Sequence, residues 1–145
     1  DERIQFAFKN TGKRTIINIK IKARVAIRDV RKRGSTITNY YDLYLTNTEL
    51  FELKAGLMVR IAPLPHLSPS LNTTLIDIEI QEMKKNGTLT LGRIFEIYPS
   101  AYIYIEIMGT DTYSHATKVF VSKRYKKRDV RLGVFRGRDL NVKQL

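Results

Sequence analysis

Residues 16–30 carry a long alternation that few folds can use. Ile17, Ile19, Ile21, Ala23, Val25 and Ile27 fall on one side, and Asn18, Lys20, Lys22, Arg24, Ala26 and Arg28 on the other. Side chains of an extended strand point in turn to opposite faces, so this spacing predicts one apolar face and one largely cationic face. A helix would scatter the six apolar residues around its circumference. Their β-branched content also favours a pleated sheet. The chain is therefore expected to hold a long strand that is buried on one side and solvated on the other.

The rest of the chain reads as shorter strands between turns. Residues 4–8 alternate, and Asn10-Thr11-Gly12 reads as a turn. Arg31-Lys32-Arg33-Gly34-Ser35 is a polar turn, and a short strand follows at 40–45. Asn47-Thr48-Glu49 and Lys54-Ala55-Gly56 are turns on either side of a short apolar run at 50–53. A strand at 57–62 ends at Pro63 and Pro65, and residues 63–69 hold three of the four prolines, which predicts an extended loop. Residues 72–87 are the helix candidate: Ile76, Ile80 and Met83 share a face, Thr74 can cap the start with Asp77 three residues on, and Gly87 suits the stop. A strand at 75–80 is the competing reading. Residues 89–98 read as a strand or extended arm. Residues 101–108 read as a central strand buried on both faces and interrupted only by Glu106. Gly109-Thr110-Asp111 is a turn, 116–122 a strand and 130–135 a last short strand. The expected architecture is all-β: a single immunoglobulin-like sandwich domain over 1–145 with one short helix and a flexible tail at 136–145.

The chain has no cysteine, and its two histidines, His66 and His115, lie far from metal-ligand spacing. Ser114, His115 and Asp111 are too close in one segment to form a catalytic triad. No glycine-rich phosphate loop is present, and the scarce carboxylates form no pair suited to acid–base work. The expectation is a protein that is not an enzyme and needs neither metal nor cofactor.

What stands out chemically is charge. The formal net charge is +12, from 26 Lys and Arg against 14 Asp and Glu. Such a field attracts anions, whether nucleic acid or lipid headgroups. The basic residues fall in three groups: Lys13 and Arg14 in the first turn; Arg28, Arg31, Lys32 and Arg33 around the second; and Lys123, Arg124, Lys126, Lys127 and Arg128 around Tyr125. Each group can be read as a solvated turn or as an anion contact. Tyr125 among its cations could stack on a nucleobase or anchor a strand end. No stretch approaches the ~20 apolar residues that span a bilayer. The chain starts at Asp1, almost inside a strand pattern, and is read as a piece of a longer protein whose membrane part, if any, lies outside it.

Three stretches together carry a resemblance. The first is Asn10-Thr11-Gly12-Lys13-Arg14 with its flanking strands at 8–21. The second is the strand and proline loop at 57–71. The third is the strand, turn and returning strand at 105–119, followed by Tyr125 and Asp129-Val130-Arg131-Leu132-Gly133-Val134-Phe135. In order and spacing they resemble the cytoplasmic domain of inward-rectifier potassium channels over most of residues 6–135. The chain departs from the family at Leu132, where a Trp is usual, at His66 and Asn72, where acidic residues are common, and at 89–98, which reads as an insertion. Its positive charge also differs from the acidic inner surface of many relatives.

The resemblance implies a gating domain on the cytoplasmic side of the plasma (inner) membrane. Four copies would hang below the protein's own transmembrane pore domain as a homotetramer and respond to anionic membrane lipid. The family's lipid-responsive basic turn matches Lys13 position by position, with Arg14 adjacent. Two other readings stand beside it: a basic β domain that binds nucleic acid through Arg28–Arg33 and Lys123–Arg128, and a standalone immunoglobulin-like interaction domain.

Overall fold

The structure is a computed structural model that describes residues 4–28, 38–63, 78–131, 134–135 and 142–143. The expected turn at 31–35, nearly all of the proline loop with His66, the Thr74 cap with Asp77, and Leu132 lie outside the described residues.

The predicted long strand is present as β2 (Ile16–Arg28), and it organises the fold. Along one side it pairs antiparallel with β6 (Tyr102–Asp111) from Ile16↔Asp111 to Ala26↔Tyr102. Its other side is shared. β4 (Glu49–Leu53) covers the first half and β3 (Thr38–Leu43) the second. The far side of β6 is divided in the same way between β7 (Thr117–Val121) and β8 (Tyr125–Lys126). The result is a six-stranded sheet with β2 and β6 at its centre. β1 (Phe6–Lys9) and β5 (Met58–Ile61) pair separately, and their Phe6, Phe8, Val59 and Ile61 pack onto the core with the sheet's Ile19, Ile21, Ala23, Val25, Ile27, Ile103 and Ile105. The chain is an all-β sandwich. Burial of this aliphatic set is the main driving force, at about 25 cal/mol for each Å² of apolar surface removed from water.

The alternation in β2 holds from Ile19 to Ile27 but slips before it. The pairing with β6 shifts by one residue between Ile17 and Lys20, and Asn18 takes a left-handed backbone, φ 50°. Asn is among the few side chains that tolerate this conformation. The extra residue reverses the parity, so Ile16 packs against the core and Ile17, expected there, does not. Gly109 sits across from the bulge. A Cβ at this position would overlap Ile16 Cγ2 and lie 3.4 Å from Ile19 Cγ1, so the close approach of β6 to the bulge needs glycine.

Further expectations change, and the turn expected at 109–111 is instead the end of β6. Residues 101–108 are not buried on both faces: Ala101, Ile103 and Ile105 are buried, while Tyr102, Tyr104 and Glu106 are half-exposed. Ala26, assigned to the solvated face, is buried because its two cross-strand neighbours, Tyr40 and Tyr102, bring their hydroxyls to 3.3 Å of each other. Residues 89–98 are not an extended arm. They contain the helix α2 (Leu91–Ile97), which follows α1 (Ile78–Lys85) in the predicted helical segment. Thr90 caps α2 by accepting a hydrogen bond from the Arg93 N–H at 3.2 Å, and Leu91, Ile94 and Phe95 place one face in the core. At the C-terminus, β9 (Val134–Phe135) pairs with β10 (Val142–Lys143), so part of the expected tail is a strand.

Candidate anion-binding site at the turn end of the sandwich

The turn after β1 is built around Asn10. Its Oδ1 accepts from the Gly12 N–H at 3.0 Å, and its Nδ2 donates to the Arg14 carbonyl at 2.8 Å and the Leu53 carbonyl at 2.9 Å. Its backbone N–H donates to the Leu57 carbonyl at 3.0 Å, and its carbonyl accepts from the Gly56 N–H at 2.8 Å. Gly56 adopts φ 76°, the left-handed conformation that closes the turn after β4 and aims its N–H at Asn10. Asn10 thus ties the turn to the end of β4 through its side chain and to the start of β5 through its backbone.

Opposite this turn, β6 ends at Asp111, the one buried polar or charged residue among the described residues, at 2% exposure. Its Oδ1 accepts from the Tyr113 N–H at 2.8 Å and lies 3.5 Å from the Ser114 N–H. Its Oδ2 lies 3.4 Å from Arg14 Nη1 and 3.5 Å from Lys118 Nζ. The Arg14 guanidinium also sits 4.2 Å from the centre of the Tyr113 ring. Lys118 belongs to β7 and pairs with Gly109, two residues before Asp111 on the same face of β6. The Tyr113 amide, followed by the Ser114 amide, Arg14 and Lys118, holds the Asp111 carboxyl below the usual carboxylate range and outweighs the opposing effect of burial.

Asn10, Gly12, Lys13, Arg14, Ile16, Asp111 and Lys118 line an open depression of about 210 Å³. Three cations face it against one carboxylate. Arg14 and Lys118 are turned partly inward to Asp111, whereas Lys13 is exposed with no carboxylate partner among the described residues. The arrangement suits a small anionic group: Lys13 meets it directly, and the outer edges of Arg14 and Lys118, 51% and 64% exposed, complete the rim.

The residues expected to bind anions do not form one site. Lys13 and Arg14 lie at the turn end. Arg31, Lys32 and Arg33 lie outside the described residues. Lys123, Arg124, Lys126, Lys127 and Arg128 cluster at the other end of β6, where β8 pairs with Tyr102 and Ile103. That is nine residues along the strand from Asp111, or about 30 Å. There Lys123 pairs with Asp129 at 3.3 Å, and Arg124 lies over the Tyr102 ring at 4.9 Å. Lys127 and Arg128 are exposed in a 3-10 turn (Lys127–Asp129), and the Lys126 N–H donates to Asp129 at 2.8 Å. That bond, then the Lys123 contacts, keeps the Asp129 carboxyl below its usual range despite partial burial. Tyr125 packs near Lys123, its ring centre 5.2 Å from the Nζ.

Sequence reasoning missed Asn10, Asp111 and Lys118 as members of the site. Asn10 and Asp111 each carried a usable signal, because an Asn or Asp opening a turn tends to bond backbone N–H groups two residues on. Nothing local marks Lys118. Among the described residues no group of His, Cys, Asp and Glu could hold a metal ion, and no helix is long and apolar enough to cross a membrane.

The chain matches no family model and no curated protein.

Proposed function

We propose that the chain is a regulatory, non-catalytic domain of an inward-rectifier-like potassium channel, working on the cytoplasmic side of the membrane as a homotetramer. Its contact with anionic lipid is through the turn end of the sandwich. One observation carries the reading. The first and third of the stretches that resemble the family meet in space around Asp111, through Arg14 from one and Lys118 from the other. The second stretch, through β5, pairs with β1 beside them. Segments separated by almost a hundred residues thus build one cationic rim, with Lys13, unpaired among the described residues, at its tip.

Each Lys or Arg close to an anionic surface contributes ~1 kcal/mol, and the contribution fades beyond ~8–10 Å at physiological salt. Lys13→Gln should therefore weaken binding to phosphatidylserine vesicles about fivefold. The double variant Lys127→Gln, Arg128→Gln, at the far end, should bind as the wild type does. Equal losses from both ends would show that net charge alone drives binding and would remove the turn end from the reading. The channel assignment has its own test. The gene encoding this chain should specify two hydrophobic spans and a Thr-x-Gly-Tyr-Gly-type filter before Asp1, and a gene without them refutes it.

A further inference from the structure

The solvated face of the sheet is not simply charged. In the half built by β3, β2, β6 and β8, residues paired across strands point the same way, so Tyr40 and Asp42 of β3, Arg24 of β2, and Tyr102 and Tyr104 of β6 share one face. Tyr44 continues the row of β3, between the buried Leu43 and Leu45. Four of the chain's eight tyrosines therefore stand on this face. They are fixed by their neighbours. The Tyr40 and Tyr102 hydroxyls meet at 3.3 Å across Ala26, and the Tyr40 and Tyr104 rings stand edge to face with centres 6.2 Å apart. Arg24 donates through Nε to Asp42 Oδ1 at 3.0 Å and through Nη1 to the Tyr104 hydroxyl at 3.4 Å. Held in this way, Tyr40 and Tyr44 remain 53% and 50% exposed.

Cations border the rings. The Arg124 guanidinium lies 4.9 Å from the centre of the Tyr102 ring, and Lys126 of β8 is the cross-strand partner of Tyr102. Lys22 and Arg28 extend the β2 row on either side. All four are exposed, and none has a carboxylate partner among the described residues. Two carboxylates share the face: Glu106, across from Lys22, and Asp42. Asp42 is 68% exposed and gives Oδ1 to Arg24, which leaves Oδ2 to accept.

Exposed rings among a surplus of cations match a ligand whose flat π surfaces are strung on a negative backbone. A protein partner matches less well, because lysine is depleted in protein interfaces. A duplex keeps its bases stacked away from a flat sheet, whereas a single strand can turn them outward. The Asp42 carboxylate repels phosphate but can accept from a ribose 2′-hydroxyl, a donor that DNA lacks. We infer that this face binds single-stranded RNA. Bases stack on Tyr40 and Tyr44, Arg124, Lys126 and Arg28 meet phosphates, and Asp42 takes a ribose hydroxyl. The inference uses a different surface from the Asn10 turn and does not depend on the regulatory reading.

Fluorescence anisotropy with a labelled oligouridylate over a range of salt concentrations tests it. Wild type should bind. Tyr40→Ala and Tyr44→Ala should each weaken binding about tenfold without changing the salt slope, because each removes a stacked base and no charge. Tyr40→Phe keeps the ring and should bind as wild type does, which separates a lost stack from lost packing around Ala26. The double variant Arg124→Gln, Lys126→Gln should make the slope shallower by about 1.4, at about 0.7 for each phosphate contact. The deoxyuridylate of the same length should bind more weakly than the RNA, and Asp42→Ala should remove that difference. Heparin, which has no bases, should bind Tyr40→Ala as tightly as wild type. No binding by wild type, or equal losses of heparin and oligouridylate in Tyr40→Ala, overturns the site. Equal affinity of wild type for the deoxyuridylate overturns the choice of RNA. Tyr40→Ala should leave binding to phosphatidylserine vesicles unchanged, and a tenfold loss there would give the face to the membrane instead.

Discussion

Replacing Gly109 with alanine places one methyl group between β6 and the bulge of β2. The methyl would overlap Ile16 Cγ2 and come within 3.4 Å of Ile19 Cγ1. Both neighbours are β-branched and stiff at χ1, so neither swings away freely. Overpacking of this kind costs about 1–3 kcal/mol. An opposing effect exists, because glycine in a strand is less stable than alanine by roughly 0.5–1 kcal/mol. The net expectation is a loss of about 1–2 kcal/mol, which lowers the melting temperature of a domain this size by about 2–4 °C per kcal/mol. The sign should reverse when the obstacle is removed. In an Ile16→Ala background Cγ2 is gone, and Gly109→Ala should become neutral or stabilising by about 0.5–1 kcal/mol. In an Ile16→Val background Cγ2 remains, and the loss should persist. Urea unfolding followed by far-UV circular dichroism reads all three backgrounds, provided the slope with denaturant does not change. The same cost for Gly109→Ala in every background would refute the account of the bulge.

Other outcomes follow from the same structure. Thr90→Ala should cost about 1 kcal/mol by removing the cap of α2, and Thr90→Ser should restore most of it, both read by thermal melting. Ile94→Ala should cost roughly 2–5 kcal/mol, because its side chain is fully buried between α2 and the sheet. Ile105→Asp should abolish folding, seen as loss of the cooperative melt, because it places an unpaired charge at a buried position of β6. The Asp111 carboxyl titrates below its unfolded value of 3.8, so its stabilisation is complete above that pH and is lost as the pH falls through the lower folded value. Asp111→Asn should therefore be less stable than wild type at neutral pH and should flatten the acid limb of the stability curve below about pH 4. An unchanged acid limb would show that the carboxyl does not couple to folding.

The strands were legible where a single period decides them. From Ile19 to Ile27 every Ile and Val of β2, and Ala23, is where the alternation puts it, because β6 pairs with Lys20–Ala26 in a single register. The alternation fails at Asn18, whose side chain permits the left-handed turn of the bulge but does not require it. The helix α2 was misread for a different reason. Leu89, Leu91 and Thr90 mimic a strand, while Leu91, Ile94, Phe95 and Tyr98 carry the helical spacing, and the cap at Thr90 decides between them. Ala26 lies on the face the alternation gives it, but that face is covered there by two tyrosines on other strands, which no window around Ala26 contains.

The candidate site shows why a count of basic residues is a poor guide to an anion site. Lys13 and Arg14 are adjacent and equally charged, yet the fold gives them different work. Arg14 reaches across to a buried carboxylate and lies against Tyr113, so part of its charge is spent inside the protein, holding the β6–β7 turn to the turn after β1. Lys118 is tied to the same carboxylate from the other side. With two cations anchored, the third, Lys13, projects from a turn that Asn10 keeps rigid through five hydrogen bonds. A rigid turn lowers the entropy lost when the lysine meets an anion. The far cluster has more cations, but Lys123 is paired with Asp129 and Arg124 lies over a tyrosine ring, while Lys127 and Arg128 stand exposed on a 3-10 turn. A concave rim, one free cation and a buried carboxylate that fixes the others favour the turn end over the end with the larger charge.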